Sequence, residues 1–218
     1  MSAHETLPPT HRILQQVAGV CGLLGAIVAL SFLVLAIYYS PSSFSITQNW
    51  LSDLGGMGYT AFENVSRPSV TSSTTALLFD SGLAAAGILG VIFSLGLLSD
   101  AHSPAYRLGA VCTLVGAAAI AGVGLLPEPL GIIHIIASFA YGIFFAAAML
   151  LIGGALVDSS AKPLGGFSIA LGIIALVGTS QIVYERGVAE IVLAAATVLW
   201  FVFFSIRMLR RVAPRNIE

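Results

Sequence analysis

Residues 13 to 39 read ILQQVAGVCGLLGAIVALSFLVLAIYY, a run of 27 residues without a single charged side chain. A helix needs about 20 apolar residues to cross the hydrocarbon core of a bilayer. The apolar core of a cleaved signal peptide is only about 7–15 residues long. Tyr38-Tyr39-Ser40-Pro41, at the end of the run, is a poor match to a cleavage site. We therefore expect a retained membrane-spanning helix here.

Five further apolar stretches follow this first run along the 218-residue chain. Hydrophobic residues make up 57% of the sequence and charged residues 9%, whereas soluble domains carry about 25% charged residues. Lipid must therefore be the solvent for much of the chain. The sequence predicts an all-α integral membrane bundle of six transmembrane helices, at residues 13–39, 76–98, 108–126, 130–157, 164–184 and 188–206.

The basic residues predict the orientation of these helices. With the N-terminus inside, the cytoplasmic segments would hold Arg12, Arg107, Lys162, Arg207, Arg210, Arg211 and Arg215. The outer segments would hold only Arg67 and Arg186. Because cytoplasmic loops are enriched in Lys and Arg, we expect both termini in the cytoplasm. The domains are then a tail at 1–12, a membrane domain at 13–211 with a long outer loop at 40–75, and a tail at 212–218.

The partners expected from composition are membrane lipids. The formal net charge is −1, and the sequence has no basic stripe of the kind that binds nucleic acid. No nucleic acid partner is therefore expected, and protein partners are left open.

The outer loop contains one segment with mixed chemistry, Asn49-Trp50-Leu51-Ser52-Asp53-Leu54-Gly55-Gly56. Aromatic, apolar and acidic residues alternate here, and the segment ends in paired glycines. Tryptophan is enriched at the membrane–water interface. The pattern predicts a short helix lying on the interface, with Trp50 at headgroup level.

Ionisable residues collect near the predicted outer ends of the spans. Such a residue within a span costs about 2.5–3.5 kcal/mol on insertion scales, so it usually faces the bundle interior with a partner. Asp80 lies about one turn into the second span, His134 about one turn into the fourth, and Glu128 in the turn before it. We expect groups from different segments at one depth to converge on an outer-facing pocket.

Two chemical interpretations of this pocket involve catalysis. His134 beside Glu128 would serve as a general acid–base pair, with Asp53 as the third candidate catalytic residue. Asp53, Asp80, Glu128 and His134 would also suit a divalent metal, the one cofactor considered, which would lower the pKa of a bound water. Neither spacing is a recognised ligand signature. An outer-leaflet lipid-modifying or hydrolytic enzyme is one resulting hypothesis.

Two other interpretations need no catalysis. A ligand-binding site would draw on Asn49, Trp50, Asp80, Glu185 and Arg186. A structural network would instead join the helix ends through an ion pair of Asp80 with Arg186 or with His134. A transporter, a ligand sensor or an accessory subunit is the corresponding functional hypothesis. The sequence leaves these alternatives open.

The motifs resemble one known family. The Leu51-Ser52-Asp53-Leu54-Gly55 stretch is similar to the signature that follows the first span in a six-helix family catalogued as domain of unknown function 998. Further similar features are Phe79-Asp80, where the family often has Asn in the second position, Gly122 to Glu128 followed by His134, and Tyr184-Glu185-Arg186. The resemblance covers roughly residues 13–211. It implies six helices in a prokaryotic plasma membrane and no established activity.

Overall fold

The computed structural model describes residues 9–56 and 72–212. Four helices come first, α1 (Pro9–Tyr38), α2 (Ser73–Ser99), α3 (Pro104–Leu125) and α4 (Ile132–Val157). Helical residues then run without interruption over Lys162–Val212 and include two apolar spans, α5 (Lys162–Ile182) and α6 (Gly187–Val212). Within the described ranges, six helices are thus long and apolar enough to cross a membrane. The predicted six-helix membrane bundle is confirmed.

The chain reverses direction between α5 and α6. A straight helix of 51 residues would extend for about 77 Å at 1.5 Å per residue. Instead, the rings of Phe167 and Phe203 lie 4.6 Å apart. The indole Nε1 of Trp200 donates a 2.8 Å hydrogen bond to the hydroxyl of Ser168. These pairs require α5 and α6 to run antiparallel, with the turn between Ile182 and Gly187.

Local chemistry at the helix starts explains where the elements begin. The side chain of Ser72 accepts a hydrogen bond from the backbone of Thr75, and Ser103 does the same for Tyr106. Each serine satisfies one N–H group that would otherwise lack a partner in the first helical turn. Before α4, a short 3-10 helix (Glu128–Leu130) ends at Gly131, whose φ of 64° favours glycine.

Helix α6 forms the centre of the bundle. Trp200 is fully buried, and its ring stacks on Phe204 at 4.4 Å and meets the edge of Phe93 from α2 at 6.0 Å. Phe201 contacts Phe145 from α4 at 5.5 Å. Aromatic pairs of this kind contribute about 0.5–1.5 kcal/mol beyond the area they bury. The aromatic cluster therefore joins α2 and α4 through α6.

Small residues allow α2 and α3 to approach closely. A Cβ atom added to Gly87 would collide with the backbone of Ala121, and one added to Gly124 would collide with the backbone of Asp80 and Ala84. Without a hydrophobic drive between helices in lipid, such close contact supplies much of the association energy.

The outward faces of the helices are apolar. Ile13, Ile27, Leu77, Ile136 and Ile173 are all more than half exposed. Exposed apolar area on this scale is rare on soluble monomers. It is expected where hydrocarbon chains, rather than water, surround the protein.

The two ends of the bundle differ in their chemistry. The terminal end, where α1 starts and α6 finishes, is joined by polar contacts: Gln15 Nε2 donates 2.7 Å bonds to Gly96 O and Ser99 Oγ. Arg211 and Asp100 form an ion pair at 2.5 Å. The opposite end, called the loop end below, carries the 49–56 segment and the α5–α6 turn.

Replacing Gly87 by alanine should destabilise the protein, because the new methyl group would push α3 away from α2. Overpacking of this kind typically costs about 1–3 kcal/mol. The control is Gly154→Ala on exposed α4 surface, where a Cβ meets nothing within 4 Å. Thermal unfolding of purified protein in detergent should show a lower midpoint for Gly87→Ala only. Equal midpoints for the two variants would contradict the proposed close contact.

Candidate functional site

Residues 49–56 form a compact unit at the loop end, called the docked segment below. Leu51–Gly55 is a 3-10 helix, and Asp53 within it is fully buried. The Asp53 Oδ2 atom accepts hydrogen bonds from the Trp50 backbone N–H and from Asn49 Nδ2, each at 3.1 Å. The Asn49 Oδ1 atom in turn accepts from the Ser45 backbone at 3.0 Å. The Asp53 carboxylate therefore folds the segment around itself.

A second carboxylate fixes the docked segment to the bundle. Glu190, one turn into α6, accepts hydrogen bonds through Oε2 from the backbone N–H groups of Leu51 and Ser52. These are among the N–H groups at the start of a helix that have no partner inside it. A carboxylate here also complements the positive end of the helix dipole.

Backbone groups at the α5–α6 turn complete the docking. Trp50 Nε1 donates a 3.1 Å hydrogen bond to the carbonyl of Ile182, and the Gly187 N–H donates a 3.0 Å bond to the carbonyl of Asn49. Trp50 is buried, because the carbonyl of Ile182 offers its indole N–H a partner inside the protein. Its predicted depth at headgroup level stays a prediction. A Cβ at Gly187 would collide with the carbonyls of Ile46 and Asn49, so only glycine permits this approach.

Asp80 and Glu128 flank the docked segment. A Cβ on Gly55 would collide with Asp80 Oδ1, and one on Gly56 would contact Glu128 Cβ. Asp80 is partly buried on α2, and Glu128 is buried in the second 3-10 helix. The docked segment, α2 and the turn before α4 therefore lie close together in the fold, and the predicted outer-facing pocket of ionisable groups stays a prediction.

His134 has one ring nitrogen engaged and one without a partner. Its Nδ1 lies 2.7 Å from the carbonyl of Leu126. A carbonyl only accepts, so Nδ1 carries the proton, and Nε2 of the neutral ring is an acceptor. Within residues 9–56 and 72–212, neither this buried Nε2 nor Asp53 Oδ1 has a hydrogen-bond partner. Both atoms are acceptors available to a donor.

The four residues predicted as a metal centre do not assemble into one. In the described part of the chain, no group of three or more His, Cys, Asp or Glu side chains is arranged to hold a metal ion. Asp53 directs one oxygen at its own segment, and His134 directs one nitrogen at Leu126. The side chains of Glu185 and Arg186 lie outside the described residues, so their predicted ligand-binding role stays a prediction.

A cavity of about 420 Å³ lies directly below the docked segment. Leu51 and Ser52 form its roof, and residues of α1, α2, α3, α4 and α6, with Ile182 at the end of α5, form its walls. Most of the lining is apolar. The polar lining residues are Ser52, Ser138, Tyr141, Glu190 and Thr197.

The polar lining groups differ in how fully they are engaged. The Tyr141 hydroxyl donates to Thr197 Oγ1 at 3.3 Å, and Thr197 donates to the Leu193 carbonyl at 2.9 Å. In contrast, Glu190 Oε1 has, among described residues, only a long 3.5 Å contact from the Ser52 hydroxyl. Good O–H···O bonds are about 2.7–2.8 Å long. Hydrogen-bonding capacity therefore remains at the roof of the cavity.

Sequence reasoning missed the cavity and the role of Glu190. The signal for Glu190 was present, since it is the one carboxylate within the sixth apolar run, and an ionisable residue in a span is a functional candidate by default. No sequence pattern indicates the cavity, because small residues occur both around cavities and at tight contacts between helices.

Replacing Asp53 by alanine should loosen the docked segment, because the Trp50 and Asn49 donors would lose their buried acceptor. Leaving a buried donor unsatisfied costs about 1–3 kcal/mol. Hydrogen–deuterium exchange should accelerate in a peptide covering residues 45–55. Ser52→Ala is the control, since its hydroxyl makes only the 3.5 Å contact. Unchanged exchange in Asp53→Ala would show that this carboxylate does not hold the segment.

Comparison with known proteins identifies one family. No curated protein and no solved structure shows significant similarity to this chain. A family model described as "Protein of unknown function (DUF998)" matches residues 23–207 and so covers most of the chain. The matched region contains the docked segment, Glu190 and every residue that lines the cavity. The chain belongs to the DUF998 family of proteins of unknown function.

Proposed function

We propose that this protein is a membrane-embedded lipid-binding protein that holds a hydrocarbon chain in the cavity below the docked segment. The observation that carries the proposal is the distribution of polarity in the cavity: the walls are mainly apolar, and the Tyr141 and Thr197 hydroxyls in them are already hydrogen-bonded, whereas Ser52 and Glu190 are polar groups at the roof. An amphiphile with its tail between the helices and its polar end at the roof matches this distribution.

The size and the mainly apolar lining of the cavity support a lipid ligand. Small-molecule sites are usually about 300–1,000 Å³ and mainly apolar, and about 420 Å³ lies within that range. Apolar cavities do not hold water well, because a buried water needs two to four polar partners. Hydrocarbon from the surrounding bilayer is the abundant alternative occupant.

Binding fits the arrangement better than catalysis does. None of the candidate catalytic residues Asp53, Glu128 and His134 is among the residues that line the cavity. Oδ2 of Asp53 accepts two hydrogen bonds inside the docked segment. A catalytic group must reach the reacting atoms of its substrate. In this proposal Asp53, Glu128 and His134 therefore support the docked segment and its surroundings.

Filling the cavity should remove the bound lipid. Ala29 lines the cavity on α1, whereas Ile27, two residues away, is 58% exposed and does not line it. Ala29→Phe should lower the amount of lipid that copurifies with the protein, and Ile27→Phe should not. Extraction followed by quantitative mass spectrometry provides the measurement. Equal lipid content in wild type and Ala29→Phe at equal folding yield would contradict the proposal.

We also propose that the loop end faces the outside of a prokaryotic plasma membrane, with residues 1–12 and 212–218 in the cytoplasm. The excess of Lys and Arg predicted for the cytoplasmic side supports this orientation. The ligand would then come from the outer leaflet.

Reporter fusions test the orientation. Alkaline phosphatase, which is active only outside the cytoplasm, should be active when fused after Ser43 and inactive when fused after Glu218. A fluorescent protein fused after Glu218 should fluoresce. The reverse pattern would place the cavity roof on the cytoplasmic side.

A further inference from the structure

The distance between α1 and α6 changes along the bundle. Towards the terminal end the two helices touch, since a Cβ on Gly19 would collide with Leu209 and one on Gly22 with Ser205. Continuing the same antiparallel register towards the loop end pairs Leu30 with Val198. Both of these residues line the cavity. The cavity therefore occupies the space where α1 and α6 separate.

This separation brings the cavity to the lipid-facing surface. Leu30 on α1 and Leu199 on α6 both line the cavity, yet they are 53% and 45% exposed. A residue that lines a cavity and also faces outwards lies at its edge. The opening between α1 and α6 is at the depth of hydrocarbon, which makes a lateral route available to a lipid chain.

The roof of the cavity favours ligands that donate hydrogen bonds. The lining residues include no Lys, Arg or His. The Oε1 atom of Glu190 is a hydrogen-bond acceptor with spare capacity. Asp53, inside the docked segment, also interacts electrostatically with Glu190. Like charges brought together at a binding site cost several kcal/mol and are used to reject wrong ligands.

We propose that the ligand is a single-chain lipid with a hydroxyl or amine head, which enters sideways between α1 and α6 and donates a hydrogen bond to Glu190. This inference rests on the proposed lipid-binding function and adds the head-group chemistry and the route. The Glu190 carboxylate at the roof, with Asp53 near it, disfavours an anionic head. The volume of about 420 Å³ lies near the lower end of the usual range for ligand sites, which favours one hydrocarbon chain over two.

Three ligands with the same 16-carbon tail test the head-group preference. Binding of tritiated hexadecanol to purified protein in detergent is measured by scintillation proximity, with competition by unlabelled hexadecanol, hexadecylamine and hexadecyl sulfate. Hexadecylamine should compete at least as well as hexadecanol. Hexadecyl sulfate should compete at least about tenfold more weakly, which corresponds to about 1.4 kcal/mol.

The Glu190→Gln variant tests whether the charge of Glu190 sets the head-group preference. Glutamine keeps a carbonyl oxygen for the Leu51 and Ser52 donors but removes the charge, so hexadecyl sulfate should approach hexadecylamine in strength. If the variant does not fold, competition by the three ligands on the wild-type protein still tests the head-group preference. Specific hexadecanol binding with equal competition by all three ligands would overturn the head-group inference and leave the proposed function intact. No saturable hexadecanol binding would overturn both.

The lateral route has its own test. Leu30→Trp narrows the opening and should slow association of hexadecanol by at least about tenfold, whereas Ile27→Trp on the lipid face of the same helix should leave the rate unchanged. Equal association rates in the two variants would overturn lateral entry without affecting the head-group result.

Discussion

The hydrogen bonds from Leu51 and Ser52 to Glu190 are the interaction on which the loop end depends. Backbone groups inside a membrane protein must find partners within the protein, because hydrocarbon offers none. A 3-10 helix that packs into a bundle therefore needs acceptors for its first N–H groups, and Glu190 supplies them. With this acceptor in place, Leu51 and Ser52 close one end of the cavity. The same carboxylate thus satisfies the backbone and gives the cavity its polar end.

The antiparallel arrangement of α5 and α6 places the other anchors. The turn between α5 and α6 places the carbonyl of Ile182 and the N–H of Gly187 beside the docked segment. Trp50 and Asn49 use these two groups. The turn and the docked segment therefore supply hydrogen-bond partners to each other, which explains why the Trp50 side chain is buried inside the protein.

Hydropathy was sufficient to predict the six spans, because crossing a membrane requires a length of apolar chain that few other structures need. The sequence also placed Asp80 and Glu128 near the same ends of their spans, and both lie beside the docked segment. Depth does not define which way a side chain points around the helix axis, and for this reason the predicted metal centre failed. The cavity could not be predicted from the sequence for a related reason. Gly22 packs tightly against Phe93 and Ser205, while Ala29, seven residues later on the same helix, lines empty space.

The two carboxylates that organise the docked segment differ in how far along the chain they lie from the groups they bind. Asp53 binds groups three and four residues away, whereas Glu190 binds Leu51 across 139 residues. At about 5–20 residues per second, a ribosome needs roughly 7–28 s to make the intervening chain. During that interval Asp53 and the packing of Leu51 and Leu54 against Ala36 and Phe79 are available to shape the segment, whereas Glu190 emerges only with α6. The cavity therefore closes only after α6 has been made, so a nascent chain that stalls before α6 lacks both one wall of the cavity and the carboxylate that holds its roof.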